Sequence, residues 1–248
     1  MYPNNVDYIA IGYLAYAGEN YLYYTDENTP ADIGSIYYRV RIIDGCGNSN
    51  LYSNEINTLF VSTITDNENA LNTIVWNQAD GREGEVVSYN LYRSQNEESP
   101  LLLYTAGTDE YFYQDNLYDA FEQDGDYCYY IEAVEVNIPY GEFDISRSNE
   151  QCTLIDPRVW IPNSFVVDGD TPTFLPVFAY ASLNDYKMSI INRWGKVLYE
   201  TEDVYAGWNG YYNGNPVPQG VYIYVIEVKD GFGKLITETG TVTVFSNR

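Results

Sequence analysis

The chain has no histidine, and only 12 of its 248 residues are basic against 36 that are acidic. Without imidazole, catalytic triads and metal sites that depend on histidine are excluded. The formal net charge of −24 opposes binding to nucleic acid or to an anionic membrane surface, because both depend on lysine and arginine. No run approaches the ~20 apolar residues that a membrane-spanning helix needs. We therefore expect neither nucleic-acid binding nor direct membrane insertion.

The N-terminus also lacks a secretion leader. Met1 is followed by Tyr-Pro-Asn-Asn, with neither a basic segment nor an apolar one, so no signal peptide is predicted. The chain is then either a cytoplasmic protein or a piece of a longer secreted one, and the features below favour the second.

Aromatic residues, by contrast, are abundant, with 28 Tyr, 9 Phe and 4 Trp. Tyrosine favours strands and half-buried sheet faces. Gly, Pro, Asn and Asp recur at short intervals between apolar runs, which is typical of an all-β chain with many turns. Since 45% of the residues are hydrophobic, a packed core is expected. We predict an all-β fold made of tandem β-sandwiches.

The charge divides the chain into two parts. Residues 157–248 hold seven basic and nine acidic side chains, a net charge of −2, whereas residues 1–156 hold five and 27, a net charge of −22. All four lysines lie in the C-terminal part. Such a step is typical of separate domains that face different partners. We place the boundary at Ile155-Asp156-Pro157, because proline can end a strand.

The N-terminal part contains an internal repeat. Three pairs of segments align at an offset of 89 or 90 residues and a fourth aligns at 95. The pairs are Leu14–Gly18 with Leu103–Gly107, Tyr23–Asp26 with Phe112–Asp115, Tyr37–Arg41 with Tyr127–Ile131, and Ser53–Glu55 with Ser148–Glu150. A period near 90 residues corresponds to one small β-sandwich. The larger last offset predicts a longer final hairpin in the second copy.

The second copy, residues 58–156, is predicted to form seven strands. These are residues 58–64, 71–77, 86–93, 101–105, 111–114, 127–136 and 146–154. The copy resembles a fibronectin type III domain of the immunoglobulin-like class, and Trp76 and the run Tyr127–Val134 carry the resemblance. Tyr127 follows Asp124-Gly125-Asp126, where that family places its tyrosine corner.

The first copy, residues 1–57, corresponds to a partial fibronectin type III-like sandwich whose opening strands are missing. Half a sandwich leaves an apolar sheet face uncovered, at a cost of roughly 25 cal/mol per Å². We expect either that the natural chain extends upstream or that residues 1–57 dock on a neighbouring domain.

The three cysteines are Cys46, Cys128 and Cys152. The last two fall on the predicted sixth and seventh strands, which are neighbours in a sandwich, so a cross-strand disulfide is expected. The alternative is two free buried thiols. Cys46 has no partner in its own segment, and a partner in missing strands would explain the odd count. A disulfide implies an oxidising compartment.

The last ninety residues carry the most specific pattern. In order they contain Trp160–Phe165, Ile190–Gly195, Tyr199–Thr201, Gly207–Gly210, Gly214, Val217–Tyr224, Asp230–Gly233 and Gly240–Val244. The positions that define the motifs are Pro162, Asn163, Phe165, Trp208, Gly210, Pro218, Gly220 and Tyr222. Residues 157–248 closely resemble the gliding-motility-associated C-terminal domain of Bacteroidota, the type B sorting domain of the type IX secretion system.

This resemblance implies a β-sandwich sorting domain whose work is protein recognition. The implied partners are an outer-membrane β-barrel of the PorP/SprF type or a PorV-like shuttle protein. The candidate contact residues are Asn192, Arg193, Trp194 and Gly195. The alternative for Arg193 and Trp194 is that they stack on each other within the domain, and Trp208 is expected to fill the core.

Alternation within the segment adds two expectations. Residues 188–199 predict a hairpin whose turn places Gly195 at positive φ. Apolar residues on both faces of the strand at Val221–Ile226 predict a central strand, or one whose outer face meets a partner.

One loop departs from the family pattern. The family has an Asn-Gly-Asp-Gly-x-Asn-Asp-like loop, and here the terminal Asn-Asp pair is absent from residues 166–174. Asp168 and Asp170 are the weak candidates that remain for a hard cation such as Ca²⁺. The spacing does not match an EF-hand, so a solvated turn without metal or cofactor is the expectation.

No phosphate loop, nucleophile elbow or metal-ligand cluster is present, so we predict no enzymatic activity. We expect the C-terminal region of a secreted cell-surface protein, a gliding or adhesin protein whose last domain is the signal for type IX secretion. The alternative is a polysaccharide-binding accessory region of a secreted hydrolase with its catalytic domain upstream. A third possibility is a structural role in a surface filament.

Overall fold

The fold is known from a computed structural model that describes residues 8–16, 18, 22–30, 32–49, 51–95, 98–120, 125–137, 141–169 and 173–246. Across these ranges the chain forms strands and one short 3-10 helix, which confirms the all-β prediction. None of the described segments is a helix long and apolar enough to cross a membrane.

The first segment has four short strands. They are β1 (Tyr37–Tyr38), β2 (Arg41–Ile42), β3 (Leu51–Tyr52) and β4 (Ile56–Asn57). β1 pairs with β4 and β2 pairs with β3, both antiparallel. Most apolar side chains described before β4 are exposed, so this segment has little core of its own.

The middle segment is a two-sheet sandwich. Its elements are β5 (Val61–Asp66), β6 (Leu71–Trp76), β7 (Glu85–Ser94), β8 (Leu101–Ala106), β9 (Phe112–Asn116), the 3-10 helix Tyr118–Ala120, β10 (Asp126–Asn137), β11 (Glu142–Arg147) and β12 (Gln151–Leu154). One sheet has the order β5-β6-β9, and the other has the order β11-β10-β7-β8 with β12 also on β10. Trp76, Tyr89, Leu91 and Ile131 fill the space between the sheets.

The C-terminal segment is a second sandwich. Its strands are β13 (Arg158–Trp160), β14 (Ser164–Val167), β15 (Val177–Ala179), β16 (Ser182–Ile191), β17 (Val197–Thr201), β18 (Tyr211–Tyr212), β19 (Asn215–Pro216), β20 (Gly220–Lys229) and β21 (Leu235–Ser246). The main sheet has the order β14-β21-β20-β16-β17, with β14 parallel to β21. The predicted hairpin is β16–β17, and β20 is the predicted central strand.

The predicted seventh strand of the middle sandwich is wrong as one continuous element. Its residues form β11 and β12 on either side of Ser148 and Asn149. The Ser148 hydroxyl accepts the Ile131 N–H at 3.0 Å, and the Asn149 amide bonds both the N–H and the C=O of Val61 at 2.8 and 3.1 Å. Polar side chains thus replace ladder bonds, because short Ser and Asn side chains compete with strand pairing.

The internal repeat is visible in the strand register. Tyr37 lies opposite Asn57 in the first copy, where the second copy has Cys128 opposite Cys152. The structural offset on this strand is therefore 91 residues, and the offset of 90 used for the sequence alignment is one residue short. Three further pairs of facing residues in the first copy give the same offset. They are Tyr38–Ile56, Arg41–Tyr52 and Ile42–Leu51, which correspond to Tyr129–Gln151, Glu132–Arg147 and Ala133–Ser146 in the second copy.

Side-chain bonds repeat as well. In the first copy the Val40 N–H donates to the Ser53 hydroxyl at 2.8 Å, and the Ser53 N–H donates to the Val40 carbonyl at 2.9 Å. In the second copy Ile131 and Ser148 make the same two bonds, both at 3.0 Å. The two copies therefore break their last strand in the same way.

Each copy has a carboxylate that accepts a tyrosine hydroxyl, and it is buried in the second copy. Asp115, 4% exposed, accepts the Tyr129 hydroxyl at 2.8 Å and two bonds from Arg93 at 2.8 and 3.0 Å. In the first copy the Tyr38 hydroxyl donates to Asp26 at 3.2 Å. Because a buried charge is tolerated when it is paired and hydrogen-bonded, the arginine completes the site in the second copy.

The tyrosine corner expected at Tyr127 lacks its hydrogen bond. Tyr127 is fully buried, and within the described ranges its hydroxyl has no hydrogen-bond partner. The side chain therefore acts as core filling, and the expectation of a corner bond is wrong.

The predicted disulfide between Cys128 and Cys152 is present, with the two Cα atoms 4.0 Å apart. The alternative of two free thiols is therefore wrong. A bridge that closes 24 positions stabilises the fold by about 3 kcal/mol. Cys46 is exposed and free.

The two sandwiches have separate cores, with one exception. Ile155 is buried in the middle core, and so are Ala179 and Tyr180, although these two follow the predicted boundary at residues 155–157. The division into residues 1–57, 58–156 and 157–248 remains a prediction.

Tyr127 and Tyr129, the two fully buried tyrosines of β10, offer a matched test. We expect Tyr127→Phe to leave the free energy of unfolding unchanged or to raise it by up to about 1 kcal/mol, because the lost hydroxyl has no partner. Tyr129→Phe is expected to cost about 1–3 kcal/mol, because its hydroxyl bonds Asp115 and Asn72. Urea denaturation of both variants measures the difference, and equal losses would contradict the assignment.

Stability is also expected to fall at alkaline pH. Burial raises the pKa of Tyr127 to about 12, and it raises the pKa of Tyr129 and Tyr186 as well. Unfolded tyrosine titrates near pH 10, so the unfolded chain releases these protons first. The stabilisation is therefore complete below pH ~10 and is lost as the pH rises to about 12. Melting temperatures that stay constant across this interval would contradict the burial.

Candidate recognition site

The turn between β16 and β17 is held by one asparagine. The Asn192 side-chain oxygen accepts the N–H groups of Trp194 and Lys196 at 3.0 and 2.9 Å. Its backbone bonds Lys196 and Gly195, both at 2.9 Å. Gly195 has φ +82°, as predicted, and this is a conformation that side chains with a Cβ rarely adopt. The turn is therefore rigid and holds its tip in one orientation.

The same turn occurs twice more in the chain. Asp44–Asn48 and Asp230–Lys234 make the same four bonds from an aspartate, and the fourth residue of each is a glycine with φ of 82° or 80°. Each turn projects its third residue into solvent: Cys46 is exposed, Trp194 is 77% exposed and Phe232 is 61% exposed. The turn is thus a general device, and the tip residue distinguishes one copy from another.

Cations lie beside the aromatic rings at the Trp194 turn. The Arg193 guanidinium is 4.4 Å from the centroid of the Trp194 ring, so the predicted stack exists, and it leaves the indole exposed. The Lys196 ammonium lies 4.5 Å from the centroid of Tyr212. A hydrogen bond with Lys196 lowers the pKa of the Tyr212 hydroxyl. Cation–π contacts of this kind become stronger when a binding partner excludes water from them.

Apolar side chains on the outer face of the main sheet continue this surface. Val197, Ile191 and Ile223 lie in one row across β17, β16 and β20, and Val221 lies two residues from Ile223. Val197, Val221 and Ile223 are exposed. We call the surface formed by Arg193, Trp194, Val197, Val221 and Ile223 the distal patch.

The distal patch lies at the end of the sandwich that faces away from the middle segment. β16 and β20 are antiparallel, so the turn after β16 lies at the Gly220 end of β20. The turn after β20 lies at the opposite end, where a Cβ at Gly231 would be 2.8 Å from the Asp126 backbone nitrogen.

Three of the eight motif residues form the core beneath the distal patch. Trp208 is fully buried, and Phe165 and Tyr222 pack edge-on against it with centroids 5.6 and 5.3 Å away. The Tyr222 hydroxyl donates to the Pro218 carbonyl at 2.7 Å. These residues are scaffold for the patch and are not contact residues themselves.

The remaining motif residues are backbone positions. Gly210 has φ +79°, and a Cβ there would lie 2.6 Å from Val167. The Asn163 carbonyl accepts the Thr243 N–H at 2.9 Å and joins β14 to β21. Pro162 precedes it half-buried, and Gly220 begins β20 with open space around it.

The candidate cation loop contributes one described carboxylate. Asp168 has φ +60° and accepts the Tyr211 hydroxyl at 2.9 and 3.2 Å. Asp170 lies outside the described residues. No group of three or more potential metal ligands occurs in the described part of the chain.

Sequence reasoning missed the contact between Lys196 and Tyr212 at this turn. The signal for Lys196 was present, because all four lysines lie in this segment and one of them closes the turn. Tyr212 comes from a distant hairpin, and only the tertiary structure brings it to the turn.

Comparison with known families decides the nature of the C-terminal sandwich. Residues 159–244 match the family model described as "CHU_C Type IX secretion signal domain". This segment is a type IX secretion signal domain. The resemblance found in the sequence is confirmed for these residues, and the chain carries a type IX secretion signal.

Three solved structures are similar to the chain. The first is a tetra-tandem repeat in the extending region of a large adhesion protein (14% identity, TM-score 0.42, 85% of this chain and 56% of that one). The second is the FN1-FN3 region of chicken CNTN1 (10% identity, TM-score 0.32, 76% of this chain and 65% of that one). The third is a Ca²⁺-stabilized adhesin that helps an Antarctic bacterium reach out and bind ice (13% identity, TM-score 0.28, 86% of this chain and 57% of that one).

The chain therefore spans 56 to 65% of the length of these structures. No curated protein matches it.

The turn of the signal domain can be tested with two glycines. We expect Gly195→Ala to lower the free energy of unfolding by about 1 kcal/mol or more, because its φ is positive. Gly220→Ala is the matched control, since it has open space and no left-handed backbone, and it should be neutral or slightly stabilising. Thermal denaturation of both variants measures the difference. A Gly195→Ala variant as stable as the parent chain would contradict the turn geometry.

Proposed function

We propose that this chain is the C-terminal region of a cell-surface protein, an adhesin of the gliding type, whose signal domain docks on an outer-membrane partner after export. The two preceding repeats form its stalk. The observation that carries the proposal is the distal patch, which exposes a tryptophan, an arginine and three aliphatic side chains at the free end of the signal domain.

The composition of the patch supports protein recognition. Tryptophan and arginine supply a large share of interface energy, and a cluster of exposed apolar side chains marks an interaction surface. The turn holds the Trp194 backbone and the Arg193 guanidinium lies against the indole, which reduces the side-chain entropy lost on binding.

The charge distribution supports docking by this end alone. Residues 1–156 carry a net charge of −22 and residues 157–248 carry −2. A partner with an acidic rim is repelled by the stalk and attracted by Arg193 and Lys196. Such asymmetry orients the encounter and raises its rate.

The proposed partner is a β-barrel of the PorP/SprF type, and a PorV-like shuttle is the other candidate. Both belong to the outer membrane, where the exported domain arrives. A photo-crosslinking amino acid at position 194 would identify which of the two is contacted.

The polysaccharide-binding alternative has no specific observation in its favour. The Tyr92 and Tyr130 rings stack on each other, with centroids 4.8 Å apart, and Arg147 lies 3.5 Å above Tyr130. These rings therefore already cover one another on the outer face of the middle sandwich.

The docking role predicts a specific loss. In a type IX-competent host, we expect the double variant Trp194→Ala/Arg193→Ser of the full chain fused to a reporter to lose surface retention at least 10-fold. A hot-spot residue contributes about 2 kcal/mol or more. Immunoblots of cell-surface and medium fractions measure this loss.

The matched control is Phe232→Ala, which removes the tip of an equivalent turn at the opposite end of the domain. It should be retained like the parent chain. Equal retention of the double variant and the control would overturn the docking role, and normal export after deletion of residues 159–244 would overturn the signal role.

A further inference from the structure

The connection between the middle sandwich and the signal domain is short and fully bonded. Only residues 155–157 separate β12 from β13. The buried Ile155 donates its N–H to the Gly125 carbonyl at 2.8 Å. Asp156 and Asn67 exchange two bonds, each of 2.9 Å. No part of this connection is left as a free linker.

Arg158, the first residue of β13, extends this contact. Its guanidinium donates to the backbone carbonyls of Asn67 and Glu68, the latter at 2.9 Å. These carbonyls belong to the turn between β5 and β6. Arginine can satisfy two carbonyls with one planar group, so it fixes the turn to the signal domain.

Tyr180 of the signal domain lies inside the core of the middle sandwich. It is 2% exposed, and its hydroxyl donates to the Leu117 carbonyl at 3.1 Å. Ala179 is buried beside it. Tyr180 has φ +56°, a backbone conformation that is unfavourable for a bulky residue and that the surrounding contacts must hold.

The Leu117 carbonyl accepts a side-chain hydrogen bond from the signal domain. Leu117 belongs to the connection between β9 and β10, and the hydroxyl of Tyr127, the expected donor of a tyrosine corner, has no partner within the described ranges. A buried carbonyl without a donor costs about 1–3 kcal/mol. The Tyr180 hydroxyl therefore satisfies a carbonyl of the middle sandwich from the other side of the junction.

Two glycines allow the close approach. A Cβ at Gly125 would lie 2.3 Å from the Ile155 carbonyl oxygen and 3.2 Å from the Tyr180 Cβ. A Cβ at Gly231 would lie 2.8 Å from the Asp126 nitrogen. Gly231 thus lets the two domains pack backbone against backbone, and Gly125 leaves room for the Tyr180 side chain.

We propose that the middle sandwich is an obligate folding partner of the signal domain, so that the unit exported by the type IX machinery is residues 58–246. The export half of this inference rests on the role of the signal domain in secretion. The folding half rests on the junction alone and is tested without secretion.

The folding half predicts that a change in one domain loosens the other. In the full chain, we expect Tyr180→Ala to raise the hydrogen-exchange rates of the Leu117 and Ile155 amides at least 10-fold, measured by mass spectrometry. Tyr180→Phe removes only the hydroxyl and should lower the melting temperature by about 2–4 °C. If Tyr180→Ala does not fold, the test is made with Tyr180→Phe and Arg158→Gln.

The control is Tyr205→Phe, an exposed tyrosine of the signal domain, which should change neither quantity. Exchange that rises only within residues 159–246, or two separate unfolding transitions in the parent chain, would overturn the folding half.

The export half is tested with the same variants fused to a reporter. We expect Tyr180→Ala to reduce the exported fraction at least 5-fold, although the distal patch is unchanged, while Tyr205→Phe exports normally. If hydrogen exchange shows that the two domains are uncoupled in a variant and this variant is still exported normally, the export half is overturned. Loss of the docking role would appear differently, as normal export with release into the medium by the Trp194 variant.

Discussion

Buried backbone groups must find hydrogen-bond partners, and this chain meets the requirement with short polar side chains at several strand ends. Ser148 and Asn149 satisfy the break between β11 and β12, and Ser53 does the same in the first copy. Asn192 and Asp230 close the hairpins of the signal domain. The Ser, Asn and Asp residues at these strand ends therefore have a structural role beyond solubility.

The exception is the Leu117 carbonyl, whose donor comes from the next domain. This one bond changes how the chain is divided. A boundary drawn at residues 155–157 follows the charge and the proline, yet Tyr180 crosses it to complete the neighbouring core. Tyr180 belongs to the signal domain in sequence but packs in the core of the middle sandwich. Stability and export are therefore expected to depend on both domains together.

Local patterns determined much of the fold, and they failed where partners are distant in sequence. The alternation around Met188 and Ile190, the glycine at position 195 and the cysteines on adjacent strands each reflect local geometry, so hairpin, turn and disulfide were predictable. The interruption at Ser148 depends on Val61, and the fate of the Tyr127 hydroxyl depends on tertiary packing. At the distal patch, Arg193 and Trp194 were evident from the motif, whereas Tyr212 reaches the site through a separate hairpin that no local pattern indicates.

The repeat also has a mechanical consequence. Cys128 and Cys152 occupy the positions that Tyr37 and Asn57 hold in the first copy. Tension along the chain cannot extend the segment enclosed by the covalent bridge, whereas the corresponding hairpin of the first copy is closed by non-covalent contacts. Under load the first copy is therefore expected to yield before the second, so that the segment next to the signal domain keeps its shape.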